Sequence, residues 1–197
     1  MGGIIIDYGT FDWEKNEKLR DVFNQHGPYA FNVKLRKEVY RNMGACLSPH
    51  NAYLQSLGLD TMVLRADRSC RNSMEIANYL QKQVKVVSTN YPGLESSAFN
   101  KISAKQFGHA PCSLLTFDLK SKQECFQFMN NLKIIRRATN LQDNKTLILH
   151  PASTIFAEYD KDTRDKLGVP DTMIRLSAGI EDINDLIQDI ENALETL

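Results

Sequence analysis

Six apolar residues near the end of the chain, Ile183, Leu186, Ile187, Ile190, Ala193 and Leu194, recur at intervals of three and four and so fall on one stripe of an α-helix. Such a stripe has to be covered, so the chain must supply an apolar surface for the helix to lie on. Glu181 and Asp182 stand just ahead of it, where the positive end of the helix dipole favours negative charge. Upstream, short apolar runs alternate with helical patterns. Residues 113–118, 146–149 and 173–177 predict strands, and 121–132 predicts a helix with Cys125, Phe126, Phe128 and Met129 inward. Ser73 opens a segment carrying Met74, Ile76, Ala77 and Leu80 that predicts a helix ending near Gln83. A strand over 84–87 and a turn at Tyr91-Pro92-Gly93 follow. Alternation of this kind gives an α/β or α+β layer rather than a helical bundle.

The first part of the chain reads differently. Ile4-Ile5-Ile6, bounded by glycine and Asp7, predicts a buried strand, although no partner strand is evident nearby. Residues 13–27 are polar and close at Gly27-Pro28. From 30 to 57 the chain is helix-forming, with interruptions near Gly44 and at Ser48-Pro49, where serine can cap and proline can take the first helical position. Two units are expected, residues 1–59 and 60–197.

A hydrophobic content of 42% is enough for a core. Lys+Arg and Asp+Glu are both 24, so no net field draws the chain to nucleic acid or an anionic membrane. Lys34, Arg36, Lys37 and Arg41 read as the wet side of a helix. The apolar runs fall well short of the ~20 residues that cross a bilayer, and no secretory leader opens the chain, so a cytoplasmic location is expected. Cys46, Cys70, Cys112 and Cys125 form no C-x-x-C pair, and His26, His50, His109 and His150 show no H-E-x-x-H spacing. No metal site is expected.

Chemistry is concentrated at Arg175-Leu176-Ser177-Ala178-Gly179-Ile180-Glu181-Asp182, an arginine on a strand followed by a glycine turn and the amphipathic helix. A guanidinium offers a planar fork that meets a carboxylate with two parallel hydrogen bonds, which a lysine cannot do. The stretch resembles the C-terminal signature of the Cys/Met-metabolism family of pyridoxal-phosphate enzymes. Further matches in order are Met1-Gly2-Gly3-Ile4-Ile5-Ile6-Asp7 with Phe11-Asp12-Trp13, Leu47-Ser48-Pro49-His50-Asn51-Ala52, Gly58-Leu59-Asp60-Thr61-Met62, Leu64-Arg65 with Arg68, Asn90-Tyr91-Pro92-Gly93-Leu94-Glu95-Ser96, and Leu149-His150-Pro151-Ala152-Ser153-Thr154.

The resemblance implies a fold class of α/β: a C-terminal remnant of the large aspartate-aminotransferase-like domain over 1–59, then a small α+β C-terminal domain over 60–197. It implies that Arg175 holds the α-carboxylate of an amino-acid substrate. Asn140, in Thr139-Asn140-Leu141-Gln142-Asp143, stands where the family has a serine or asparagine that touches the same carboxylate. An amide there can donate to a carboxylate oxygen or form a local turn. Gln142 replaces the family's usual glycine, which implies a differently shaped loop, and Ile155-Phe156 replace a usual threonine and histidine. His150 and Ser153 are read as architectural, and Asn51 and Tyr53 as packing residues.

The resemblance begins just after the family's Schiff-base lysine. It therefore implies a C-terminal half without that lysine, the phosphate cradle, the stacking aromatic or the acid partner of the pyridine nitrogen. Pyridoxal phosphate would belong to the complete enzyme and not be bound by this chain alone. The missing half, or other subunits of a homo-oligomer, would be the partner. Within the family, Phe11-Asp12-Trp13 and Asn51-Ala52 after Ser48-Pro49 resemble the O-acetylhomoserine sulfhydrylases, which replace an acetyl group with sulfide or methanethiol. Methionine γ-lyase or cystathionine γ-lyase or synthase chemistry is the alternative within the family. A non-catalytic split-gene product or decayed remnant, acting only with a partner chain, is the alternative outside it.

Overall fold

The computed structural model describes residues 2–197, so that of the opening motif only Met1 lies outside the described residues. The chain divides into two compact units, residues 1–60 and 61–197.

In the first unit, α1 (Arg20–His26) ends at Gly27, whose φ of 55° suits a residue without Cβ. Helix α2 (Ala30–Lys34) runs into a π-helical stretch, Leu35–Tyr40, and a last turn, α3 (Arg41–Met43), which Gly44 stops at φ 62°. Pro49 then opens α4 (Pro49–Asp60), with the Asn51 N–H donating to Ser48 Oγ at 3.3 Å. Both interruptions therefore fall where glycine and serine-proline put them. Helix α1 was not foreseen, because its polar residues carry little apolar periodicity. The expected strand at 4–6 does not form: Ile4, Ile5 and Ile6 are unpaired and 83%, 70% and 60% exposed. A strand needs a neighbour for its backbone donors and acceptors, and among the described residues none supplies one. Trp13 stacks on Phe31 at 5.0 Å.

The second unit begins with α5 (Met62–Leu80), which starts well before Ser73. Its buried side is mostly polar upstream, at Ser69, Asn72 and Ser73 with Cys70 among them, and becomes wholly apolar from Ile76 through Ala77 and Leu80. Hydrophobic periodicity therefore signals only its second half. The valine-rich run 84–87 is not a strand: the chain turns there, the Val86 N–H donating to the Gln83 carbonyl at 3.1 Å, and Lys85 Nζ reaches the Leu194 carbonyl at 2.8 Å. Strand β1 (Ser88–Asn90) follows, then α6 (Asn100–Phe107), β2 (Leu114–Asp118) and α7 (Lys122–Asn131). Helix α7 is capped by Ser121 Oγ, which accepts the Glu124 N–H at 3.2 Å. After it come β3 (Arg136–Arg137), β4 (Leu147–Leu149), α8 (Lys161–Lys166), β5 (Met173–Ser177) and α9 (Ile183–Glu195).

The sheet order is β1-β2-β5-β4-β3, antiparallel except for the parallel β3–β4 pair. The mixed α/β architecture is the one expected. Registered rows such as Leu115–Leu176–Ile148 put one set of side chains on one face. That face and the apolar stripe of α9 form the core with α5 and α7, where Phe117 meets Phe128 edge-on at 5.7 Å. Asp189 on α9 accepts the backbone N–H groups of Lys133, Ile134 and Ile135 at 2.8–3.0 Å, tying the segment after α7 to the last helix. Among the described residues no helix is long and apolar enough to cross a membrane.

Candidate functional site

Alternation along β5 sends Leu176 into the core and puts Arg175 and Ser177 on the opposite face of the sheet. Arg175 lies in register with Thr116 on one side and Leu149 on the other. It is half-buried, and desolvation lowers its pKa; a guanidinium nevertheless stays charged at neutral pH. Its Nη2 donates to the Thr139 carbonyl at 3.0 Å and to the Asn140 carbonyl at 3.4 Å. The two residues singled out from sequence are thus neighbours, but Asn140 meets Arg175 through its backbone while its side chain is exposed.

The same loop is held at a second point. The Gln142 N–H donates to Ser177 Oγ at 2.8 Å, and Gln142 has φ 55°, the one left-handed non-glycine among the described residues. The glutamine therefore occupies a glycine-type conformation, at a cost of about 1–2 kcal/mol.

Beyond Ser177 the signature folds into a clasp. The Gly179 N–H donates to Thr146 Oγ1 at 2.9 Å, and a Cβ on Gly179 would lie 2.4 Å from the Asn144 carbonyl oxygen. The Ile180 N–H donates to that same carbonyl at 3.0 Å. From α5, Asn72 Nδ2 donates to the carbonyls of Gly179 and Glu181, both at 3.0 Å, and Arg68 Nη2 donates to the latter at 3.1 Å. Ser177, Asn72 and Thr146 were not singled out from sequence. The two-residue period of β5 carried the signal for Ser177, whereas the other two act across long separations that no local pattern reveals.

Two clefts flank the loop. One, of about 370 Å³, is lined by Arg65, Cys70, Cys112, Ser113, Gln142 and Asn144 among others. The other, of about 240 Å³, includes Phe126, Arg137, Thr139, His150 and Ser153. The buried His150 donates from Nε2 to the Asp171 carbonyl and accepts at Nδ1 from Ser153, both at 2.8 Å, so both ring nitrogens are engaged. Burial raises the thiol pKa values of Cys70 and Cys112 and pushes Cys125 up to about 12, so none of these is primed as a thiolate. Among the described residues no cluster could hold a metal ion.

The site is thus a half-buried arginine on a helix-backed mixed sheet, with a loop fastened to its strand and held against its guanidinium by backbone carbonyls. The chain belongs to the family described as Cys/Met metabolism PLP-dependent enzyme, whose profile matches residues 1–195. It is similar to O-acetyl-L-homoserine sulfhydrylase 1 of Thermus thermophilus, at 34% identity over 98% of this chain and 49% of that protein. An L-methionine gamma-lyase of Fusobacterium nucleatum is 37% identical over 78% of this chain and 39% of its own. Among solved structures, an O-acetylhomoserine sulfhydrylase of Wolinella succinogenes superposes with a TM-score of 0.79 at 48% identity, covering 96% of this chain and 51% of that one. The chain thus spans about half the length of the curated relatives it matches.

The family depends on pyridoxal phosphate. That cofactor requires a lysine for its Schiff base. Neither cleft beside the 139–142 loop is lined by one. The residues lining these two clefts offer no amine for that bond.

Proposed function

We propose that this chain is the C-terminal half of an O-acetylhomoserine sulfhydrylase, contributing the small domain and the subsite for the substrate's α-carboxylate. Residues 1–59 would be the end of the large cofactor-binding domain. The 48% identity to the Wolinella succinogenes enzyme across 96% of the chain carries this reading. In it Arg175 receives the carboxylate, its planar fork fixing the orientation of the amino acid as well as its charge. Asn140 sits beside it at the rim of the subsite. The cofactor and its lysine would come from residues outside this chain, with which it forms one active site, as a paired half or within an oligomer. The exposed Ile4, Ile5, Ile6 and Tyr8 support such a partner.

The test is reconstitution. The chain is co-expressed with the complementary half of a relative, and acetate release from O-acetylhomoserine with sulfide is followed. Activity should appear, and Arg175→Lys should lower kcat/KM by about 10- to 100-fold, the worth of a charge-assisted bond of roughly 1.5–3 kcal/mol, while leaving folding intact. Elimination from methionine without acetate release from O-acetylhomoserine would favour the second reading, a methionine γ-lyase, which the Fusobacterium nucleatum relative supports. Wild-type efficiency in the lysine variant would remove Arg175 from the subsite.

A further inference from the structure

A guanidinium has two edges that can give a carboxylate a pair of parallel hydrogen bonds, Nε with Nη2 and Nη1 with Nη2, and both run through Nη2. In Arg175 that shared nitrogen faces the carbonyls of Thr139 and Asn140. The loop carbonyls therefore engage the nitrogen common to both edges, so the position of the 139–142 loop bears on how the fork is presented to a carboxylate. The loop is in turn fastened to the strand that carries the arginine. Ser177, two residues on and on the same face, accepts the Gln142 N–H at 2.8 Å. It does so at the one residue of the loop held in a left-handed conformation, φ 55°, which a glutamine adopts only when something fixes it there.

We infer that Ser177 is a positioning residue for the carboxylate subsite: its hydroxyl holds the 139–142 loop, and through that loop sets where Arg175 presents its donors. The inference rests on the reading of Arg175 as the carboxylate-binding group. The bland alternative is that Ser177, only 2% exposed between Leu114 and Leu147 in the sheet, merely fills space. A space-filling serine has no use for its hydroxyl, and alanine would serve as well. A positioning serine fails as alanine and is rescued by threonine.

Two nuclear magnetic resonance readouts on the chain itself separate these cases without added ligand. In the wild type, the Gln142 amide should exchange with solvent at least tenfold more slowly than the Asp143 amide next to it, which has no hydrogen-bond partner among the described residues. Equal rates would overturn the inference before any substitution is made. Ser177→Ala should abolish that difference and move the Arg175 Nε–Hε resonance, while Ser177→Thr should keep both at wild-type values. If the alanine variant leaves the Gln142 rate and the Arg175 resonance unchanged, Ser177 positions nothing. Arg175→Lys kinetics in the reconstituted enzyme judge the carboxylate reading separately, so either idea can fail alone.

Discussion

Thr146 gives the carboxylate of Glu181 both its backbone N–H, at 2.6 Å, and its hydroxyl, at 2.8 Å. The glutamate of the signature thus ties the turn after β5 to the residue that leads into β4. Its role is architectural, a short distance in sequence from an arginine whose proposed role is chemical.

Glu181→Ala should cost about 2–3 kcal/mol, because the buried Thr146 N–H and hydroxyl lose a charged acceptor. Glu181→Gln keeps one acceptor oxygen and should cost about 1 kcal/mol. Urea unfolding of the two variants checks the order. An alanine variant with the wild-type midpoint would show that water replaces the carboxylate without loss.

Gln142→Gly should stabilise the second unit. Relief of a left-handed non-glycine residue gains about 1–2 kcal/mol, and the greater freedom of glycine in the unfolded chain returns about 0.5–1 kcal/mol. A net gain of about 0.5–1 kcal/mol follows. A calorimetric melting temperature that falls on this substitution would mean that the glutamine side chain makes a contact worth more than the strain.

Alkaline pH should weaken the fold through Cys125. Burial raises its thiol from 9.0 to about 12, opposed by backbone hydrogen bonds and assisted by Asp118 and Glu124. A group whose pKa is raised on folding contributes stability that is complete below its unfolded value and is lost as pH rises toward its folded value. Between pH 9 and 12, therefore, Cys125 should remove about 1.4 kcal/mol per unit. Stability measured against pH in Cys125→Ala should lack this component. Parallel curves for the two proteins would show that the thiol is not deprotonated on unfolding.

Mixed with pyridoxal phosphate, the isolated chain should acquire no Schiff base at a single defined lysine, since no lysine lines either cleft beside the loop. Borohydride reduction followed by peptide mass mapping checks this. Stoichiometric trapping on one lysine would contradict it, whereas scattered trace adducts are what exposed lysines give.

Where residues communicate along the chain, the sequence was legible. The strand Met173–Ser177, the serine cap of α7, the stripe of α9 and the breaks at Gly44 and Ser48-Pro49 all follow from local spacing. Where the determining contact is distant, local spacing misled. Residues 84–87 look like a strand, but they turn, and Lys85 reaches the end of α9. The first half of α5 looks unstructured because its buried face is built from Asn72 and serines, which are satisfied or enclosed only once the signature folds over them. The site divided in the same way. Arg175 stood out by type and context, but its contact with the loop carbonyls is a tertiary fact that no motif contains.

Strand β5 lies in the middle of the sheet yet is the last of the five to leave the ribosome. Until it emerges, the nascent chain can pair β1 with β2 and β3 with β4, but these remain separate ribbons whose inner edges are open to other strands. Closure of the sheet is therefore a late event in synthesis. Premature termination ahead of Met173 would leave two exposed ribbons rather than a slightly smaller domain, and such a product is a substrate for aggregation or proteolysis.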